Sequence, residues 1–113
     1  MDIVIPGLRV HMDGHECRVH VGRYADSGNI GRQLYDTKTG YPYATATINP
    51  SVTLIDDQVM IKNYSENRGM VDALRRAGVI GEAVAVAGVD FPVYRLTVPL
   101  PDGLATRGTV FAN

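Results

Sequence analysis

Leu8, Val10 and Met12 alternate with Arg9, His11 and Asp13, and Cys17, Val19 and Val21 alternate with Glu16, Arg18 and His20. A period of two is the signature of a strand with one buried face. Between the runs stands Asp13-Gly14, a dipeptide that tolerates positive φ at both central positions of a tight turn and matches strand twist. A two-residue loop there predicts facing pairs: Met12 with His15, His11 with Glu16, Val10 with Cys17, Arg9 with Arg18, and Leu8 with Val19. Apolar pairs then share one face and polar pairs the other, so turn chemistry and hydrophobic pattern agree on a hairpin.

A second hairpin is predicted downstream. Residues 30–35 and 43–49 flank Asp36-Thr37-Lys38-Thr39-Gly40, where Gly40 can take the left-handed position that closes a type I turn. Ala44, Ala46 and Ile48 are expected to point one way, with Thr45 and Thr47 the other. Asn49-Pro50 stops the ladder, because proline has no amide to donate, and residues 58–62 form a short further strand.

From residue 66 to 77 the period changes. Met70, Val71, Leu74 and Ala77 make an apolar stripe at helical spacing. Ser65, or Asn63 with Glu66 as its capping-box partner, is placed to accept from the free amides of the first turn. Arg75 and Arg76 complement the dipole in the last turn, and Gly78 supplies a left-handed stop with Val79 and Ile80 folding back over the helix end. Two more strands are expected over residues 83–87 and 91–98. Pro99, Pro101 and Gly103 then break the pattern, so residues 99–113 read either as an edge strand or as a loose tail.

This order predicts a single α+β domain over residues 1–113: a curved antiparallel sheet of about six strands with one helix packed on it. One helix of about twelve residues cannot cover a broad sheet, so the rest of the apolar face is expected to be closed by curvature or by a second copy in a homodimer.

Composition narrows the classes. With 113 residues, 45% hydrophobic and 20% charged, the chain can bury a core. A net charge of −1 removes any whole-molecule drive toward nucleic acid or an anionic membrane, while leaving room for a local patch. Only Lys38 and Lys62 among the 11 basic residues are lysines; the arginine bias fits either recognition of carboxylates and phosphates or a codon preference. Cys17 is the one cysteine, so a reducing compartment is expected. Met1 to Pro6 lacks the form of a secretory signal, and no run approaches the ~18 apolar residues of a membrane span. A cytoplasmic protein with no membrane partner is expected.

The grouping of His11, His15, Glu16, Cys17 and His20 invites a metal reading, but the hairpin register opposes it. Cys17 points away from His11 and Glu16, and His20 lies roughly 13 Å along the strand from Glu16, whereas zinc ligands converge at ~2.0–2.3 Å. No metal or other cofactor is expected. The polar face does carry Arg9 opposite Arg18, with His11 and His20 nearby. Two arginines across a ladder repel by a few tenths of a kcal/mol, which an anion or acidic partner would offset; neutralisation by Asp2, Asp13 or Glu16 is the alternative. Tyr35, Tyr41 and Tyr43 gather at the second hairpin tip, a composition suited to an interface. At the helix entry, Tyr64, Glu66 and Arg68 are further binding candidates, although a well-capped helix start accounts for that polar stretch too. No paired carboxylates, HExxH, CxxC or Walker motif is present, so no catalytic residue is assigned.

Several runs together resemble a known group of sequences. These are Gly28-Asn29-Ile30-Gly31-Arg32-Gln33-Leu34, the GxPYATxTxN run from Gly40 to Asn49, the IKxYSEN run from Ile61 to Asn67, Ala73-Leu74 with Ala77-Gly78-Val79, and Phe91-Pro92-Val93-Tyr94-Arg95-Leu96. They resemble a family of small bacterial proteins of unknown function carried by phages, plasmids and conjugative elements. The similarity covers roughly residues 20–98; the first hairpin and the tail depart from it. What the resemblance implies is context rather than chemistry: a small non-enzymatic accessory protein that antagonises a host defence system, anti-CRISPR-like, by stoichiometric binding to a host protein complex. The alternative is a nucleotide or nucleic-acid binding module using the Arg9, His11, Arg18 and His20 face.

Overall fold

The computed structural model describes residues 3–50, 52–86, 88–89 and 92–99, with the backbone of Val110–Phe111. The first hairpin forms as its pattern dictates. β1 (Ile3–Met12) and β2 (His15–Tyr24) pair with Arg9 opposite Arg18, Val10 opposite Cys17, His11 opposite Glu16 and Met12 opposite His15. Asp13 and Gly14 both have positive φ, 50° and 81°. Leu8 and Val19, however, are not a ladder pair. The register slips between Val4 and Arg9, where Pro6 lacks an amide and Gly7 has φ 73°.

Two sheets form, not the single sheet of about six strands that the sequence predicts. The first has the order β1-β2-β3-β4, with β3 Ile30–Asp36 and β4 Pro42–Thr45. The second has the order β5-β6-β8-β7: β5 Thr47–Ile48, β6 Gln58–Ile61, β7 Ile80–Val84 and β8 Val93–Leu96. A short β9 (Val110–Phe111) runs parallel to Arg23 and Tyr24 of β2, so this much of the tail is strand; the expectations for residues 100–109 and for Phe91 fall outside the described residues.

The expected strand over 43–49 breaks at Ala46. Ala46 N–H donates to Arg32 O at 2.9 Å, while Ala46 O accepts from Lys62 N–H at 2.9 Å, one bond to each sheet. The break overturns the expected alternation, because Ala46 and Thr47 are both buried. Thr47 is kept there by its hydroxyl, which accepts from Arg32 N–H and lies 3.0 Å from the Tyr24 hydroxyl.

The helix is shorter than expected. Ser65–Asn67 form a 3₁₀ turn, Arg68 is extended and Gly69 has φ 91°, so α1 covers only Met70–Arg76. Asn63 does serve the helix start, accepting from Val71 N–H at 2.8 Å, but Ser65 makes no cap bond. Glu66 pairs with Lys62 instead of closing a capping box. The helix end is as expected: Val79 N–H donates to Leu74 O, Gly78 N–H donates to Arg75 O, and Gly78 has φ 76°.

Helix α1 lies against β1 and β7, the edge strands of the two sheets. Its Met70, Val71, Ala73 and Leu74 join Val10, Val19, Val21 and Leu34 of the first sheet, Val59, Ile61 and Ile80 of the second, and Val79 just before β7 in one core. The second sheet therefore covers the apolar face of the first, a closure that the sequence pattern assigns to curvature or to a second copy. A smaller apolar cluster of Leu54, Met60 and Val93 lies on the other side of the second sheet. No helix among the described residues is long and apolar enough to cross a membrane.

Candidate functional site

The antiparallel ladders sort the N-terminal candidates by face. Cys17, Val19 and Val21 turn inward, so Arg18 and His20 turn outward. Ladder pairing places Arg9, Arg18 and Tyr35 in one transverse row, while His20 lies opposite Gln33 in the next. The His20 and Tyr35 rings stack with centroids 3.9 Å apart and planes at 26°. This brings together Arg9, Arg18, His20 and Tyr35, with His11 and Glu16 one pair further along. Strand pairing places Tyr35 on the arginine face, not with Tyr41 and Tyr43 at the hairpin tip as the sequence suggests. The Arg9 guanidinium donates to Leu8 O at 3.0 Å and reaches Glu16 only at 4.0 Å. Arg18 Nε is buried and has no hydrogen-bond partner among the described residues.

The hairpin tip is less of a tyrosine cluster than its composition suggests. Tyr41 is 73% exposed. Tyr43 is half-buried, tilted against the His15 ring at 4.5 Å. His15 Nδ1 lies 2.7 Å from Asp36 Oδ2. That bond and the Lys38 amide hold the Asp36 carboxyl below the usual carboxylate range. These groups lock the two hairpin ends together, which is a structural use of His15 and Asp36. Cys17 is buried between the strands, and burial, followed by the charges of Asp36 and Glu16, pushes its thiol up to about 11. A thiol so raised is no nucleophile at neutral pH.

At the helix entry Tyr64 and Glu66 are exposed, with the Lys62 ammonium 5.7 Å above the Tyr64 ring and ion-paired to Glu66. Lys62 in turn holds the Glu66 carboxyl below its ordinary value. Arg68 is exposed; its N–H donates to Ser65 O at 3.2 Å, and its side chain makes no hydrogen bond or ion pair among the described residues. These residues sit apart from the arginine face, on the segment between β6 and α1.

Asn67 of the IKxYSEN run and Asn29 of the Gly28–Leu34 run are fasteners. Asn67 is buried and donates from Nδ2 to Thr45 O at 2.7 Å. Asn29 is buried, donates to Asn49 Oδ1 and Val52 O, and accepts from Leu54 N–H. Buried amides satisfied in this way hold segments in register.

Two arginines acquire meaning only in the structure. Arg32 is wholly buried, and its guanidinium has no hydrogen-bond partner among the described residues. Arg76, which the sequence assigned only to the helix dipole, lines a cleft of about 220 Å³ with Arg9, His11, Ala73 and Ala77. The signal for Arg76 was its place beside Ala73 and Ala77 at the border of the apolar stripe, but nothing in the sequence said that β1 lay alongside. Among the described residues no group of three or more His, Cys, Asp or Glu side chains is arranged to hold a metal ion. Comparison with known proteins returns no match to any family model, curated protein or solved structure, so the resemblance to the mobile-element family rests on its motif runs alone.

Proposed function

We propose that the chain is a non-enzymatic binding protein whose working surface is the outward face of the first sheet, and that its partner presents phosphate groups as a nucleotide or a short single strand of nucleic acid. The supporting observation is the convergence of Arg9, Arg18, His20 and Tyr35 on that face. Guanidinium forks match phosphate oxygens, and the stacked His20 and Tyr35 rings form a flat aromatic step of the kind bases stack on. The net charge of −1 is no obstacle to a short ligand, because exposed charges are screened beyond ~8 Å at physiological salt.

The test is fluorescence anisotropy of a labelled single strand of about ten nucleotides. With about three phosphate contacts, affinity should fall roughly 20-fold between ~50 and ~200 mM salt. Charge reversal at Arg9 and Arg18 should abolish binding with the thermal midpoint nearly unchanged. Absence of binding to oligonucleotides and nucleotides at low salt would refute this reading.

A second reading, stoichiometric inhibition of a host defence complex, is supported by the exposure of Tyr41 within the GxPYATxTxN run and by the mobile-element resemblance. It expects one host complex captured in near-stoichiometric amount, insensitive to nuclease and to salt, and lost with Tyr41→Ala.

A further inference from the structure

We infer that the cleft between β1 and helix α1 is a binding site for a phosphomonoester dianion, with Arg76 and Arg9 as its paired ligands and His11 as a third donor; this deepens the phosphate-binding reading above. The cleft's walls come from different elements, Arg9 and His11 from β1 and Ala73, Arg76 and Ala77 from the side of the helix. Of the two arginines in the last helical turn, Arg75 is occupied: its guanidinium lies 5.5 Å from the Tyr94 ring centroid and donates to Gly81 O. The Arg76 side chain makes no hydrogen bond or ion pair among the described residues, nor does that of His11. The two small side chains, Ala73 and Ala77, leave the wall beside Arg76 open, so the guanidinium has room to turn inward.

Charge and size select the ligand. Arg9, Arg76 and the neighbouring Arg18 stand against Glu16 and the roughly half-unit negative charge of a helix C-terminus. The surplus of about 1.5 positive charges matches a phosphomonoester, about −1.5 to −2 near neutral pH, better than the single charge of a diester. At about 220 Å³ the cleft is smaller than the ~300–1,000 Å³ of sites that enclose a whole cofactor. It suits the phosphate group, with any attached nucleoside lying out along the sheet face, to which Arg9 is common.

The experiment is an NMR titration of the full chain with inorganic phosphate, AMP and adenosine, repeated with Arg76→Gln and Arg9→Gln. Phosphate and AMP should compete for one site, shifting the amides of Arg9, His11, Arg76 and Ala77, and adenosine should leave those amides unmoved. Each variant should weaken AMP binding at least tenfold with an unchanged fold, Arg76→Gln being a solvent-side change to a good helix former. AMP much tighter than phosphate identifies a nucleotide as the source of the phosphate, and equal affinities identify the free ion; both uphold the site. Adenosine binding as well as AMP, indifference to Arg76→Gln, or no shift at millimolar phosphate would each overturn it. Oligonucleotide binding that survives Arg76→Gln leaves the sheet-face reading standing without the cleft. Phosphate binding lost with Arg76→Gln, in a protein that ignores oligonucleotides, leaves the cleft without the sheet face.

Discussion

Burying a guanidinium without a counter-charge is costly, and among the described residues Arg32 is the clearest instance. Its backbone is fully used, donating to Thr47 Oγ1 and accepting from Ala46, but its side chain lies on the inward side of β3 between Ile30 and Leu34. Burial pushes its pKa down to about 10. Arg23, two rungs away on the same face, shows the contrast: Asp56 accepts from both its terminal nitrogens at 2.9–3.0 Å, and Gly28 O takes a third bond. Desolvating a single ion costs on the order of several kcal/mol, a cost that an apolar residue of similar length avoids. Arg32→Met is therefore expected to raise the denaturant midpoint at neutral pH. The gap should narrow above pH 10, because there the unfolded chain keeps the proton that the folded chain loses, and wild-type stability rises with pH. Equilibrium unfolding at neutral and alkaline pH checks both; a destabilised variant would mean that Arg32 has a partner in solution.

At the scale of elements, local chemistry governs turns and ends, while long-range contacts govern where elements stop. The apolar stripe and the Gly78 stop were legible because a helix repeat and a left-handed C-cap are local properties. The early break at Arg68-Gly69 was not, since Asn67 is drawn away to hydrogen-bond Thr45 of β4. That bond reorients the chain before α1 begins. Asn67→Ala should cost about 1–3 kcal/mol, the penalty for an unmet buried partner. It should also loosen the β4 edge, read as faster amide exchange near Thr45 and Ala46 with α1 retained. A change confined to the helix would contradict this role.

The whole molecule turns on Ala46, where the chain leaves one sheet for the other. Ala46 is fully buried, and at that point two hydrogen-bonded layers approach closely enough that there is little room for a longer side chain. Ala46→Leu is expected to cost about 2 kcal/mol by overpacking and to lower the thermal midpoint by about 10 °C, within a single transition if both sheets share one core. Separate transitions by circular dichroism and by tyrosine fluorescence would show that the sheets unfold independently.

The sequence by itself determined the α+β class, the first hairpin from Arg9 to Arg18 down to its register, the stop at Gly78 and the inward burial of Cys17. Each of these follows from periodicity or turn chemistry within a few residues. Only the tertiary structure decided that there are two sheets, that Tyr35 joins the arginine face and that Arg76 and Arg9 line one cleft. These depend on which strands pair across long stretches of chain. That choice is made by the total apolar area buried and by satisfying Ala46, Thr47, Asn29 and Asn67 together, and no local window contains it.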